Sequence, residues 1–344
     1  MRARNPIRIK LIFSALLASL CHIDDPILAQ TIDVLAVYTA EARTAAGGQS
    51  GIISRIDAAI SQANLSLSTS QAQAVLRLVH LAEIAYAETG NLQTELERLK
   101  GTTDGHMDSA HTLRDQYGAD VVTLFTGRTD TGGYSGMGYV MNTNSSIFAN
   151  WAFSVTRQDY ATQFTFVHEV GHNLGCNHDP DSATSSAAYA YSYGHRFWAN
   201  SVQYRTIMAY APGTRIGYFS NPSVNFNSVA TGIADQRDNA RTIRNTAATV
   251  AAFRDTVYGD INLRATALDN RVSLRWAQPT TIGFESDLAH LRFSTNTYPA
   301  TTNDGTLVYQ GTNQAMLHTN TPPYITHYYS IWGSNDGTTL IAPP

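Results

Sequence analysis

Residues 168–179 read HEVGHNLGCNHD, an H-E-x-x-H-x-x-G-x-x-H string followed by an aspartate. On a helix His168 and His172 leave the same face one turn apart, so both imidazoles can meet one metal ion, with Glu169 beside them. A third ligand cannot come from the next turn, because continued helix would carry it past the ion. The chain must turn sharply, and Gly175 is the residue able to take the positive φ that such a turn needs. His178 then closes the set. Asp179 and Asp181 are alternative ligands in principle, but the turn geometry favours His178.

Three neutral imidazoles leave a tetrahedral Zn2+ one open position for water, whereas four protein ligands would mark a structural ion. Bound zinc brings the pKa of that water to roughly 7 and polarises a carbonyl, and Glu169 can take the proton. The chemistry implied is peptide-bond hydrolysis at one catalytic zinc. A glutamate as third ligand from a downstream helix is excluded, since none lies between Glu169 and Glu285. Phe164, Val167, Gly171 and Leu174 form an apolar stripe at helical spacing. The same helix is therefore expected to pack in the core, by a face distinct from the histidines.

These residues resemble the metzincin clan of zinc endopeptidases, and the aspartate after the third histidine is similar to its reprolysin-like branch. The clan carries a downstream Met-turn beneath the zinc ligands, matched by Thr206-Ile207-Met208-Ala209-Tyr210. The resemblance implies Met208 as the floor of the site and Asp179 as a support behind the ligands. Tyr210 departs from the reprolysin pattern and is similar to the astacin and serralysin turns, where the equivalent tyrosine swings between zinc and the reacting oxyanion. It is read either as that extra donor or as a structural hydrogen bond.

From residue 31 to 256 the chain resembles bacterial reprolysin-like proteases, and among them the peptidyl-Asp metalloendopeptidase family. The likeness rests on TIDVLAVYT at 31–39, GYSGMGYVM at 133–141, the zinc helix, TIMAY and the YFSNP that follows it. It implies a preference for Asp just after the scissile bond. In metzincins the pocket for that residue is walled by the segment after the Met-turn, here Ala211 to Tyr218, whose only charge is Arg215. Its guanidinium either pairs with a substrate Asp or braces the loop; Arg196 and Arg205 are weaker candidates. Gly132 to Met141 resembles the edge strand by which metzincins hold substrate extended, with Gly136 and Gly138 at the substrate. The alternative is a plain glycine-rich loop.

The 344 residues are 15% charged with a net charge of −4, which suggests about two domains and gives no basic surface for nucleic acid. Arg2, Arg4, Arg8 and Lys10 precede an apolar run from Leu11 to Leu20, and Ile27-Leu28-Ala29 ends a polar stretch. This is a secretory signal peptide pattern with cleavage after Ala29, and its apolar run is too short to span a bilayer. A secreted protein, extracellular or periplasmic and without stable membrane insertion, is expected. Leu20 is too large to precede a lipidated Cys21. Cys176 then remains as the one cysteine, so no internal disulfide is expected, and its own reading is a small buried hydrophobe. No room for an inhibitory prodomain is expected ahead of the first strand.

Strands are read at Ile32 to Tyr38, Val75 to Ile84, Asp120 to Phe125 and Trp151 to Thr156. Helices are read at about Gly51 to Ser66, Gln93 to Lys100, Asp108 to Tyr117 and Asp238 to Arg254, with a loop from Asp181 to Tyr193. From about Asp260 short alternating strands follow, such as Val272 to Trp276, His290 to Ser294 and Tyr328 to Trp332. They resemble a fibronectin type III sandwich with Trp276 in its core. The expected fold is thus an α/β (α+β) metzincin-type catalytic domain with a mixed, mostly parallel sheet and a zinc-binding helix, followed by an all-β sandwich. The expected boundaries are 1–29 for the signal peptide, 30–257 for the catalytic domain and 258–344 for the sandwich. Substrates are proteins or peptides; neither a calcium site nor a partner of the sandwich is assigned. The rival reading is a secreted adhesion or binding protein on an inactive metzincin scaffold. Glu169 argues against it, since holding zinc alone does not need that carboxylate.

Overall fold

The computed structural model describes residues 29–255 and, after them, 263–268, 271–276, 288–299, 301, 303–313, 315–321, 325–334 and 340–341. The leader, Cys21 and the boundary at 257/258 lie outside the described residues. The first region runs β1 (Gln30–Tyr38), α1 (Ala40–Ala45), α2 (Gln49–Thr69), β2 (Ala74–Glu83), α3 (Leu92–Lys100), α4 (Asp108–Gln116), β3 (Val121–Thr126), β4 (Gly136–Gly138), β5 (Phe153–Arg157) and α5 (Phe166–Asn173). Its five strands lie in the order β2-β1-β3-β5-β4, all parallel except β4, which runs antiparallel to β5.

The parallel sheet is covered on both faces, which is why β1 reads as an almost unbroken apolar run. Ile32, Val34 and Ala36 enter one cluster with Ile52 and Ile56 of α2 and Phe166 and Val170 of α5. Leu35 and Val37 enter the opposite cluster with Leu92, Leu96 and Leu99 of α3. Because side chains alternate between faces, a slip of one residue would exchange the two cores, so the register is strongly specified. The one acid inside β1, Asp33, is buried and takes Arg77 of β2 in a two-pronged ion pair at 2.6 and 2.7 Å. Helix starts follow local capping: Thr39 Oγ1 accepts from Ala42 N–H at 3.0 Å, and Asn91 Oδ1 from Thr94 N–H at 2.9 Å.

Two local expectations are corrected. Trp151 does not open a strand: it ends a 3-10 turn, Ser146–Trp151, where its ring meets Tyr139 edge-on and carries Lys100 at 3.9 Å. Phe164 is not part of the helical stripe. It sits in a non-helical kink within the turn Ala161–Thr165, at φ 64° and ψ 10°, a left-handed conformation uncommon for a phenylalanine. Gln62 of α2 spans that turn, its Nε2 donating to Thr162 O at 2.7 Å and its Oε1 accepting from Phe164 N–H at 3.1 Å. Nor does α5 bury one stripe only, because every residue from Phe166 to Asn173 is buried.

Beyond α5 the chain forms β6 (Arg196–Ala199), β7 (Val202–Arg205) and β8 (Thr214–Arg215), then β9 (Asn225–Phe226), β10 (Val229–Ala230) and α6 (Asn239–Val250). The β6–β7 and β9–β10 hairpins both turn on an Asn-Ser pair, Asn200-Ser201 and Asn227-Ser228, with all four residues at positive φ. Two successive positive φ values are what a two-residue hairpin needs, and asparagine tolerates them. Helix α6, capped by Asp238, returns to the first cluster through Ile243, Ala247 and Val250.

The last strands are β11 (Arg264–Leu268), β12 (Arg271–Arg275), β13 (Leu288–Ser294), β14 (Thr306–Gly311), β15 (Ala315–Thr319), β16 (Tyr328–Ser334) and β17 (Leu340–Ile341). They make two antiparallel sheets, β11-β12-β15 and β14-β13-β16-β17. Val272 and Leu274 from one sheet and Ala289, Leu291 and Ile331 from the other share one apolar cluster with Trp276, a core of their own. Deleting residues 258–344 is therefore expected to leave a domain that unfolds cooperatively and binds one zinc ion, checked by thermal unfolding and metal analysis. A truncated chain that neither folds nor binds metal would tie the two cores into one unit.

Candidate metal centre and active-site cleft

Helix α5 brings His168 and His172 to one side with their ring centroids 4.8 Å apart. The helix ends where expected: Gly175 adopts φ 87°, and Cys176 N–H reaches back to Gly171 O at 2.9 Å. The chain then reverses, with Asn177 N–H on Ser192 O at 2.8 Å and Gly194 N–H on His178 O at 3.2 Å, and His178 is carried over the helix. Its Nε2 stands 3.2 Å from that of His168 and 3.1 Å from that of His172.

The other ring nitrogens decide what this cluster can do. His168 Nδ1 donates to Ile207 O and His172 Nδ1 to Cys176 O, both at 2.9 Å. In these neutral rings the Nε2 atoms of His168 and His172 therefore carry lone pairs, and they converge on His178, which can donate to one of them at most. Burial first, then the neighbouring histidines, lowers the pKa of His168 and His172, the latter to about 3; burial also lowers that of His178. Neutral imidazoles so placed need a cation between them. Nitrogens each about 2.0–2.1 Å from a tetrahedral zinc stand roughly 3.3 Å apart, close to the two spacings to His178, and all three ligand atoms lie within 4.8 Å of one another. Among the described residues this is the one group of three or more His, Cys, Asp or Glu residues positioned to share an ion.

Met208 lies fully buried beneath the helix, and Gly171 is the residue that admits it: a Cβ there would stand 2.8 Å from Met208 Sδ. Cys176 is fully buried, burial pushes its thiol pKa well up, and Sγ donates to Asn239 O at 3.6 Å. That environment suits an inert packing residue.

Glu169 is buried, and burial pushes its carboxyl up to about 8, against the pull of Arg215. It lies against the edge strand. A Cβ on Gly136 would stand 2.6 Å from Glu169 Oε1, and one on Gly138 would stand 2.9 Å from Glu169 O. The two glycines, read from sequence as substrate contacts, thus have a second role in letting β4 close onto the carboxylate. The outer edge of β4 has no neighbouring strand among the described residues, which leaves backbone groups open to an extended peptide.

Asp179 ties the third histidine to the Met-turn. Its Oδ2 accepts from Tyr210 N–H at 2.9 Å, and its Oδ1 pairs with Arg196, which also holds Asp181 at 2.5 Å and Ala211 O at 3.3 Å. The Tyr210 ring is 41% exposed and stands 4.1 Å from the His178 ring and 6.0 Å from that of His168. Burial and then Glu169 raise its pKa, so the phenol keeps its proton as a donor.

The three candidate arginines separate clearly. Arg196 is committed to Asp179 and Asp181, and Arg205 to Gly213 O at 2.9 Å and Ala209 O at 2.7 Å. Arg215 has one contact, Nη1 to Gln163 O at 3.4 Å, while its buried Nε has no hydrogen-bond partner among the described residues. Burial and then Arg205 lower its pKa to about 10, with Glu169 and Tyr210 pulling it upward, and it stays charged near neutrality. Arg215 is half-buried, and its guanidinium keeps donor capacity that the protein itself leaves unused. Sequence reasoning missed the ion pair of Arg196 with Asp179 and the β6-β7-β8 platform that carries all three arginines. The Asn200-Ser201 dipeptide was the signal for its β6–β7 hairpin, as Asn227-Ser228 was for the separate β9–β10 hairpin.

A family model described as metallo-peptidase family M12 (Reprolysin_5) matches residues 29–220. The peptidyl-Asp metalloendopeptidase of Stenotrophomonas maltophilia (strain R551-3) is 39% identical over 230 residues, covering 65% of this chain and 53% of that protein. That of Xanthomonas campestris pv. campestris is 40% identical over 229 residues, covering 65% and 52%. That of Pseudomonas fragi is 31% identical over 173 residues, covering 49% and 85%. The chain spans about half the length of the first two relatives. A chain in the solved structure of a chaperone-substrate complex shares the fold, with a TM-score of 0.54 at 22% identity, covering 66% of this chain and 35% of that one.

The contact of β4 with Glu169 makes a specific prediction. Gly136→Ala is expected to keep full zinc content but to lower kcat by about tenfold or more, because the new methyl displaces the carboxylate. Unchanged kcat in the zinc-loaded variant would show that the close approach has no bearing on the reaction.

Proposed function

The chain belongs to metallo-peptidase family M12, and from that premise we propose that it is a secreted zinc-dependent endopeptidase that cuts before aspartate, with Glu169 as general base. The observation that carries this reading is the convergence of three imidazole Nε2 atoms beside a buried carboxylate that rests on an open strand edge. His168, His172 and His178 would hold the zinc. Bound there, the ion lowers the pKa of water and polarises the scissile carbonyl.

The remaining work falls to this chain's own groups. The edge of β4 takes the substrate backbone as an added strand and sets the scissile bond over Glu169. Glu169 accepts the proton of the attacking water and returns it to the leaving amine. Tyr210, a phenol beside His178, donates to the oxygen on which charge develops. Arg215 pairs with the carboxylate of the residue after the cut, which is how the preference in the relatives' name would arise here.

The accessory region over 258–344 is read as a fibronectin type III-like module and residues 1–29 as the cleaved leader. No helix among the described residues is long and apolar enough to cross a membrane.

Two substitutions test the reading. Glu169→Gln is expected to keep one zinc per chain and the melting temperature while losing at least about a hundredfold in kcat, and a chelator should abolish wild-type turnover. Turnover retained by the zinc-loaded variant would remove Glu169 from the chemistry. Arg215→Leu is expected to lower kcat/KM for a peptide with Asp after the cut by about a hundredfold, while the matched Leu peptide changes little. Equal preference in both proteins would clear Arg215 of the role, and no Asp preference in the wild type would sink the assignment.

A further inference from the structure

The turn that precedes α5 holds a phenylalanine in a left-handed conformation, and such strain persists only where surrounding contacts enforce it. Three contacts converge there. Gln163, at φ −102° and ψ 31°, presents its carbonyl to Arg215 Nη1 at 3.4 Å. The Phe164 ring occupies the space beside Gly217, two residues after Arg215, so that a Cβ on Gly217 would lie 2.8 Å from Phe164 Cε1. Thr165 Cγ2 stands 2.6 Å from where a Cβ on Gly136 would sit, on the opposite wall of the cleft. One strained turn therefore touches both the edge strand and the segment that carries the arginine.

What holds the turn is a side chain from another element. Gln62 of α2, about a hundred residues away along the chain, supplies the donor for Thr162 O and the acceptor for Phe164 N–H. Only a primary amide of this length offers both at once, and Gln62 touches none of the three histidines, Glu169 or Tyr210 in any hydrogen bond of the structure.

We infer that Gln62 is a positioning residue for substrate selectivity. Its amide fixes the left-handed turn, the turn sets the Gln163 carbonyl and the Phe164 ring, and these seat the 215–217 segment so that the Arg215 Nε stays unpaired. The inference rests on the reading of Arg215 as the group that pairs with a substrate Asp. Displacement of a binding group by about 1 Å costs on the order of a hundredfold, so loss of this brace shows in selectivity before it shows in turnover.

The test uses the zinc-loaded full chain and paired peptides with Asp or Leu after the cleaved bond. Gln62→Met, nearly isosteric but without either hydrogen bond, is expected to keep its zinc and to cleave the Leu peptide within about twofold of wild type. Its Asp-to-Leu ratio of kcat/KM should fall about tenfold, through KM for the Asp peptide. Gly217→Ala pushes on the Phe164 ring from the other side and should lower the same ratio, which decides the matter where Gln62→Met does not fold. An unchanged ratio in both variants, with the ratio abolished in Arg215→Leu, overturns the role of Gln62 and leaves that of Arg215 standing. An equal fall for both peptides marks a merely structural brace, and a wild-type ratio near one removes both roles.

Discussion

Nitrogen lone pairs that face one another repel, and here the Nε2 atoms of His168 and His172 both turn theirs on that of His178, at 3.2 and 3.1 Å, in a largely dry setting. Keeping them there in their neutral form requires backbone carbonyls behind the rings, and those come from Ile207 on the Met-turn and Cys176 at the helix end. The rest of the cleft follows from these tethers. The Ile207 carbonyl must be brought under α5, which seats Met208 against Gly171, and the Cys176 carbonyl can face His172 only if the helix stops at Gly175. Asp179 then joins the loop of the third histidine to the same Met-turn through Tyr210 N–H. Metal ligands held from behind in this way keep their tautomer and orientation when the ion arrives.

Charge is distributed over the neighbouring platform with the same economy. Register places Arg196, Arg205 and Arg215 on one face of β6, β7 and β8. Two are neutralised or tied by the protein itself, and the third keeps its Nε without a hydrogen-bond partner among the described residues. Like charges side by side repel, so the pair of Arg205 and Arg215 is itself a source of attraction for any anion that enters.

Much of this was readable in the chain and some was not, for physical reasons. The zinc helix, Gly175 and the parallel strands declare themselves because spacing at 3.6 or 2 residues and a demand for positive φ leave marks in a sequence. The β1 run is apolar because two cores meet on it, and its length set the strand within two residues. Phe164 was misread because its spacing fits a helix perfectly well; only the tertiary hold of Gln62 puts it in a left-handed turn. The hairpins at Asn200-Ser201 and Asn227-Ser228 were missed because they lack the glycine that usually advertises such turns. The pairing of Asp179 with Arg196 joins residues 17 apart across an irregular loop, and no periodicity announces that.

The glycines of β4 carry a consequence for how such a cleft can diversify. Strand and carboxylate meet at Gly136, so any side chain introduced there would push aside Glu169, the proposed general base. At Gly136 and Gly138 the edge is thereby confined to backbone shape. The segment around Arg215, across the cleft, makes no such close approach to Glu169 and is freer to change its side chains. One wall of the cleft is held at two glycines while the other is free to vary.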